Sequence, residues 1–371
     1  MIKLGIIFGG RSVEHELSIF SAVHVMKNID KSKYEIVPIY ITNENEMYTG
    51  AFLNDIKIYS DIDNLKRYAK NVILYVKNNR IVLQNKKGFK RIVNEIDIIM
   101  PIFYNTNVES GTIQGYFDML GIPYIGSNSS TISVIQDKTF LNNQLEINNL
   151  PTLSAISFQE YEYKNDLESL IKKLEKIKYP IIVKPVHYGN KLGISCASDR
   201  DELVLAIEEA LKYDDRAIVT ENIEDYKNVS VSIIGDSTGY EFSEILEIDN
   251  KENIIMNKNI DKQKNILNKK TKQEIIELAT KLAKSLDIIG IARIDFKISQ
   301  KKIFVDEIIT TPDTVSAYLW EVKGISYEEI LNKLIKLTIN DYKNRNLKKN
   351  NLENNLLKKR ELEKSMESKI K

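Results

Sequence analysis

The chain has 371 residues, 43% hydrophobic and 28% charged, with a formal net charge of +1. That length points to two or three domains, and neither the balanced charge nor any apolar run suggests a nucleic-acid partner or a membrane span. One cysteine, Cys196, excludes an internal disulfide and suits a reducing, cytoplasmic setting, and three scattered histidines (His15, His24, His187) exclude the usual zinc sites, so chemistry must rest on carboxylates, Lys, Arg and backbone dipoles.

The opening "MIKLGIIFGG" reads as a buried first strand over residues 2 to 8 rather than a signal peptide, and it ends at Gly9-Gly10. A helix is predicted from Ser12, as N-cap, to Asn28. "YEIVPIYIT" is a second strand. Residues 45 to 90 are less regular, with short strands in "NVILYV" and "RIVLQN", and read as an insertion. "DIIMPIFY", a helix from Gly111 to Leu120 and "GIPYIG" complete an alternation of strands and helices that argues a parallel, doubly wound sheet. After residue 127 the pattern changes. "YPIIVKPV" is a strand, "HYGNKLGIS" a loop, and "DRDELVLAIEEALKYD" an amphipathic helix with an Asp199–Glu202 capping box. "AIVTENI", "VSVSIIG" and "FSEILEI" are strands of an antiparallel sheet with helices packed on it. A helix over 271–287 is capped by Thr271 and Glu274. The hairpin "ARIDFKISQKKIFVDEIITTP" and a last packed helix from Ser326 follow. Residues 341–371 hold ten Lys/Arg against five Asp/Glu and read as a charged helical tail or a basic contact surface.

Several stretches can carry chemistry. In "FGGRSVEHELSIFSA" a strand, two glycines and a helix N-terminus suit a carboxylate-bearing ligand; Glu14 either complements the helix dipole or holds a small substrate's amino group. Glu109 precedes a Gly-Thr helix start. Lys138 follows Asp137 at another helix start, and Lys184 ends a strand before a glycine loop, a placement suited to phosphate. In the hairpin, Asp295 and Glu307 on adjacent strands could supply magnesium with hard oxygen ligands. Arg293 shares the face of Asp295 and could neutralise a phosphoryl group or an oxyanion, unless the face is solvated and Arg293 pairs with Glu307. Alternation sends Asp306 to the opposite face.

Together, "GIIFGGRSVEHELSIFSA", "SGTIQGYFDMLGIPYIGSNSSTISVIQDK", "YPIIVKPVHYGNKLGIS" and "IARIDF…FVDEIITTP" occur in the order found in D-alanine–D-alanine ligases, and the chain resembles that family to about residue 340. The resemblance implies the ATP-grasp fold, an α/β and α+β multidomain architecture. Its parts would be an N-terminal doubly wound parallel α/β domain (1–127), a central small domain (128–219), a C-terminal domain (220–340) and the tail (341–371). It implies ATP and Mg2+, amino acid substrates, a cytoplasmic homodimer, and dipeptide formation through an acyl phosphate in peptidoglycan precursor synthesis. It gives Glu14 the first substrate's ammonium, Glu109 a supporting place in that pocket, Lys138 and Lys184 the ATP phosphates, and Glu221 the adenine amino group. Arg293 would stabilise the transition state, and Asp295 and Glu307 would bind magnesium.

The chain also departs from the family pattern. Tyr104-Asn105 stands for His-Gly, and Gly189-Asn190-Lys191 for the glycine-serine-serine lid, where Asn190 keeps a hydrogen-bonding side chain in the catalytic position. Asn228 takes the ribose-binding glutamate's place. Residues 246–268 lack the loop tyrosine, Ile309 replaces a metal-binding asparagine, and Asp313 replaces an oxyanion glycine. Two alternatives therefore stand beside the ligase: a catalytically impaired relative that binds nucleotide or acts as a scaffold, and a ligase with an altered second substrate.

Overall fold

The computed structural model describes residues 1–104, 110–187, 192–248, 267–300, 302–312 and 314–347. Three sheets organise them. The first is built from β1 (Ile2–Gly9), β2 (Tyr34–Ile41), β3 (Met47–Thr49), β4 (Lys70–Lys77), β5 (Arg80–Asn85), β6 (Ile92–Ile96) and β7 (Ile98–Ile102). Their order is β6-β5-β4-β3-β2-β1-β7. Only β7, β1 and β2 run parallel, the arrangement predicted for the doubly wound part. The segment read as an insertion instead continues the same sheet as an antiparallel meander. Its alternating burial, as in Val72 and Leu74 of β4, lets it extend the first core rather than stand apart.

Both faces of the parallel part of this sheet are covered. Leu4, Ile6 and Phe8 point to α1 (His15–Asn28), whereas Ile7 and Ile99 point to α3 (Thr112–Leu120). The short α2 (Ile62–Tyr68) adds Leu65 to the α1 side. Helix α1 begins three residues after Ser12. The Ser12 hydroxyl caps nothing in the helix; it accepts from the Glu14 N–H at 3.1 Å and donates to the Tyr104 carbonyl at 2.7 Å.

Two helices, α4 (Ser129–Gln136) and α5 (Lys138–Ile147), lead to a four-stranded antiparallel sheet, ordered β10-β9-β11-β8. Its strands are β8 (Ala155–Gln159), β9 (Ile181–Pro185), β10 (Ser195–Ala197) and β11 (Arg216–Glu221). With α6 (Glu160–Asn165), α7 (Leu167–Leu174) and α8 (Arg200–Leu211) they form this layer, whose separate core includes Leu170, Val183, Ile207 and Val219. Asp199 caps α8 as expected, accepting from the Glu202 N–H; the Glu202 carboxylate reaches the Ser198 N–H instead of closing a reciprocal box.

The third sheet contains β12 (Lys227–Asp236), β13 (Gly239–Phe242), β14 (Leu246–Glu247), β15 (Gly290–Ser299) and β16 (Lys302–Ile309), all antiparallel. Val229, Val231, Ile294 and Phe296 line its apolar face under α9 (Lys269–Ser285). Asn268, rather than Thr271, caps α9 by accepting the Thr271 N–H. Ile135, Leu141 and Leu145 from α4 and α5 join this same core, so the division expected at residue 128 separates those helices from the sheet they cover. Two last helices, α10 (Thr314–Val322) and α11 (Tyr327–Leu347), bring Trp320, Ile330 and Leu334 back against α1, giving the first and third sheets a shared apolar contact. No described helix is long and apolar enough to cross a membrane.

Candidate active site

Glycine is required where β1 turns toward α1. Gly9 has φ +92°, and a Cβ there would stand 2.3 Å from the Ile41 carbonyl oxygen. Ser18 of α1 ties the turn down: its hydroxyl accepts from the Gly9 N–H at 2.7 Å and donates to the Ile102 carbonyl at 2.6 Å. Glu14 thereby sits at the start of α1, partly buried, beside the exit of β7. Thr311, from the turn after β16, donates to the Phe103 carbonyl at 2.9 Å. The first loop, the end of β7 and the Thr310-Thr311-Pro312 turn are thus stitched together across more than 200 residues of sequence. Tyr104 is buried, and its hydroxyl donates to Ser21 at 3.0 Å.

The polar face of the hairpin and the lysine-bearing face of the central layer form the two walls of the candidate cleft, since Glu307 lies within electrostatic reach of Lys138 and Lys184. Arg293 and Asp295 lie two apart on β15, and the guanidinium grips the Asp295 carboxylate with Nε and Nη2 contacts of 3.1–3.2 Å. Ser230 of β12, in register with Asp295, donates to it at 2.5 Å. Among the described residues the guanidinium pairs with Asp295, its neighbour on the same strand, rather than across the hairpin with Glu307. Glu307 is the register partner of Asp295. Burial and then the Asp295 charge push its carboxyl up, although it keeps solvent-accessible surface, as a group on a cleft floor does. Ile309 pairs with Arg293 on this face and offers no oxygen.

Asp306 does not lie on the far side. Between Asp295 and Phe296 the register slips, so Phe296 faces Val305 and Asp306 is the extra residue of a bulge. The bulge turns its carboxylate onto the ammonium of Lys297, 2.8 Å away on the cleft face. Simple alternation missed this because a bulge changes the count by one.

The lysines come from the other wall. Lys138, first residue of α5, donates from Nζ to the Val186 carbonyl at 3.0 Å. Burial and the neighbouring Lys184 charge lower it to about 8. Lys184 of β9 is lowered as well, by burial first, while Asp306 and Glu307 pull it the other way. Among the described residues its ammonium has no hydrogen-bond partner. Two cations from the central layer therefore stand within electrostatic reach of Glu307 on the third sheet. Glu221, the last residue of β11, accepts from the Ser154 N–H at 3.2 Å at the passage to β12. Asn228, on β12, is paired in register with Lys297.

A charged knot behind Lys138 escaped the sequence reading. His187 contacts Asp214 and Asp137, and Arg216 contacts Asp137. Its members are far apart in sequence, and no spacing motif announces it. Asn190, with Gly189 and Lys191, lies outside the described residues, as do Asn105, Glu109, Asp313, residues 249–266 and the tail from 348. No cluster of three or more His, Cys, Asp or Glu side chains placed for a metal occurs among the described residues; the hairpin supplies two carboxylates, which is what magnesium takes when phosphate oxygens complete its shell.

Comparison with known proteins adds an independent finding. Residues 3–127 match the family model described as the D-ala D-ala ligase N-terminus, and residues 144–336 match the D-ala D-ala ligase C-terminus. The chain is 34% identical over 361 residues to the D-alanine–D-alanine ligase of Thermosipho melanesiensis, covering 94% of this chain and 96% of that protein. It is 32% identical to that of Caldicellulosiruptor bescii, covering 94% and 97%. The solved D-alanine–D-alanine ligase of Coxiella burnetii superposes with a TM-score of 0.82 at 23% identity, over 93% of this chain and 96% of that one, a likeness of fold.

Proposed function

The chain belongs to the D-alanine–D-alanine ligase family, and on that premise we propose that it joins two D-alanine molecules at the expense of ATP, in peptidoglycan precursor synthesis. The observation that carries the reading is the placement of Lys138, at the start of α5, and Lys184, on β9, within electrostatic reach of Glu307 on β16. Burial has left the two lysines poorly compensated, and a nucleotide phosphate chain beside them would relieve that wall, while Glu307 would be answered by the Mg2+ that the phosphates bring.

In this mechanism the Glu14 carboxylate holds the ammonium of the first D-alanine. Lys138 and Lys184 neutralise the phosphates, and Glu221 accepts from the adenine amino group with the oxygen that Ser154 leaves unused. The carboxylate of the first D-alanine takes the γ-phosphoryl group of ATP, and the amine of the second then displaces phosphate from the acyl phosphate. Arg293, held in place by Asp295, faces the charge that develops in both steps. Asp295 and Glu307 would hold Mg2+, which would neutralise charge on the phosphates; Ile309 leaves one place for a water oxygen.

The readings as an inactive relative or as a ligase of another second amino acid are not favoured, since relatives matched over 94% of the chain are named D-alanine–D-alanine ligases. Phosphate release from ATP is expected to depend on D-alanine and to yield the dipeptide on mass analysis. No release with a panel of D- and L-amino acids would end the proposal.

A further inference from the structure

His187 is held between two carboxylates by both ring nitrogens. Nδ1 lies 3.0 Å from Asp214 Oδ2, and Nε2 lies 3.3 Å from Asp137 Oδ2. Its backbone N–H also donates to Asp214, at 2.8 Å. Asp137 Oδ2 accepts from Arg216 Nη1 at 2.5 Å, while Asp137 Oδ1 takes the Thr139 and Phe140 N–H groups that open α5. A neutral imidazole has one N–H and one lone pair, so one carboxylate would face a lone pair. Only the imidazolium satisfies both, and with Arg216 it balances two negative with two positive charges.

The arrangement joins the three segments that carry the lysine wall. Asp137 starts α5 and precedes Lys138. His187 follows Val186, whose carbonyl accepts from both the Lys138 ammonium at 3.0 Å and the Lys138 backbone N–H at 3.4 Å. Val186 N–H in turn donates to the Arg216 carbonyl at 3.1 Å. Moving His187 moves the adjoining Val186 carbonyl, which accepts from the Lys138 ammonium. Lys184 lies three residues back, on β9.

We propose that His187, as an imidazolium clamped between Asp137 and Asp214, is a positioning residue that sets Lys138 and Lys184 for the phosphates of ATP. The proposal rests on the ATP-dependent ligase reading above. The clamp holds the imidazole charged up to about 9, because the Asp137 and Asp214 hydrogen bonds outweigh burial. The groups facing it are Asp137 and Lys138 from α5, and Asp214 and Arg216 from the entry to β11. Raising the pH through about 9 removes the proton and opens the clamp.

His187→Gln and His187→Arg in the full-length chain test this. Gln keeps one hydrogen bond and loses the charge; Arg keeps a permanent cation between the carboxylates. The Kd for ATP and the KM for ATP are expected to rise about tenfold in His187→Gln, the scale of one charged hydrogen bond. The KM for D-alanine should stay unchanged, and His187→Arg should recover most of the ATP affinity. A His187→Gln protein with lowered Tm but wild-type ATP affinity would overturn the proposal, as would equal loss in both variants. If the wild-type chain itself binds no ATP in the same titration, the ligase reading fails instead.

Discussion

The two walls of the cleft handle buried charge differently. On the third sheet most charges are answered locally: Asp295 by Arg293 and Ser230, Asp306 by Lys297. Glu307 alone remains with its carboxyl pushed up. On the central layer Lys138 and Lys184 lie near each other, and both are pushed down, chiefly by burial. A wall whose charges are internally paired keeps its shape without ligand. A wall of adjacent cations carries a standing desolvation cost that an anion removes. The hairpin therefore reads as the preformed surface, and the lysine wall as the one whose energy depends on nucleotide.

Replacing Lys184 by Met tests that contrast most severely. Phosphate release should fall about 10²–10³-fold, the scale for losing one preorganised charge contact, while Tm holds or rises because a buried charge has gone. Unchanged turnover would make Lys184 a structural residue and erase the asymmetry. A smaller effect concerns pH. Lys138 is cationic below about 8 and neutral above it, so kcat/KM for ATP should decline as pH rises through that value. Lys138→Arg, which cannot lose its proton in this range, should remove the decline at about 8 and leave the later one at about 9 from His187; a profile flat through 8 in both proteins would refute the assignment. The smallest change is expected on the preformed wall. Ile309→Asn adds an amide oxygen beside Glu307 and should lower the Mg2+ concentration for half-maximal activity by about tenfold at most. An equal or greater requirement for Mg2+ in that variant would remove Ile309 from the metal's surroundings.

Much of this site can be read along the chain because its parts are local. Gly9 at a strand end, Asp137-Lys138 at a helix start, Lys184 at a strand end and the spacing of Arg293 and Asp295 each reflect one turn, one cap or one pleat. The hairpin loop brought Glu307 opposite Asp295 as strand pairing requires. Asp306 was misplaced by alternation since a bulge leaves no mark in the pattern of apolar residues. Tyr104 marks a departure from the family pattern, but only packing directs its hydroxyl to Ser21.

The sequence by itself determined the main strands and helices, though not β8, β10, α6, α7 or α10, nor the break between β13 and β14 inside "FSEILEI", together with the strand-end glycine and the charged residues able to serve phosphate and metal, because short-range periodicity and backbone sterics govern those features. Tertiary structure alone decided that residues 45 to 90 extend the first sheet, that α5 packs with the third sheet while its first residue joins the lysine wall, and that α10 and α11 close against α1. It alone gathered Asp137, His187, Asp214 and Arg216 into one clamp. These outcomes depend on which apolar faces meet and which buried charges must then be balanced, and both are settled between segments far apart in the chain.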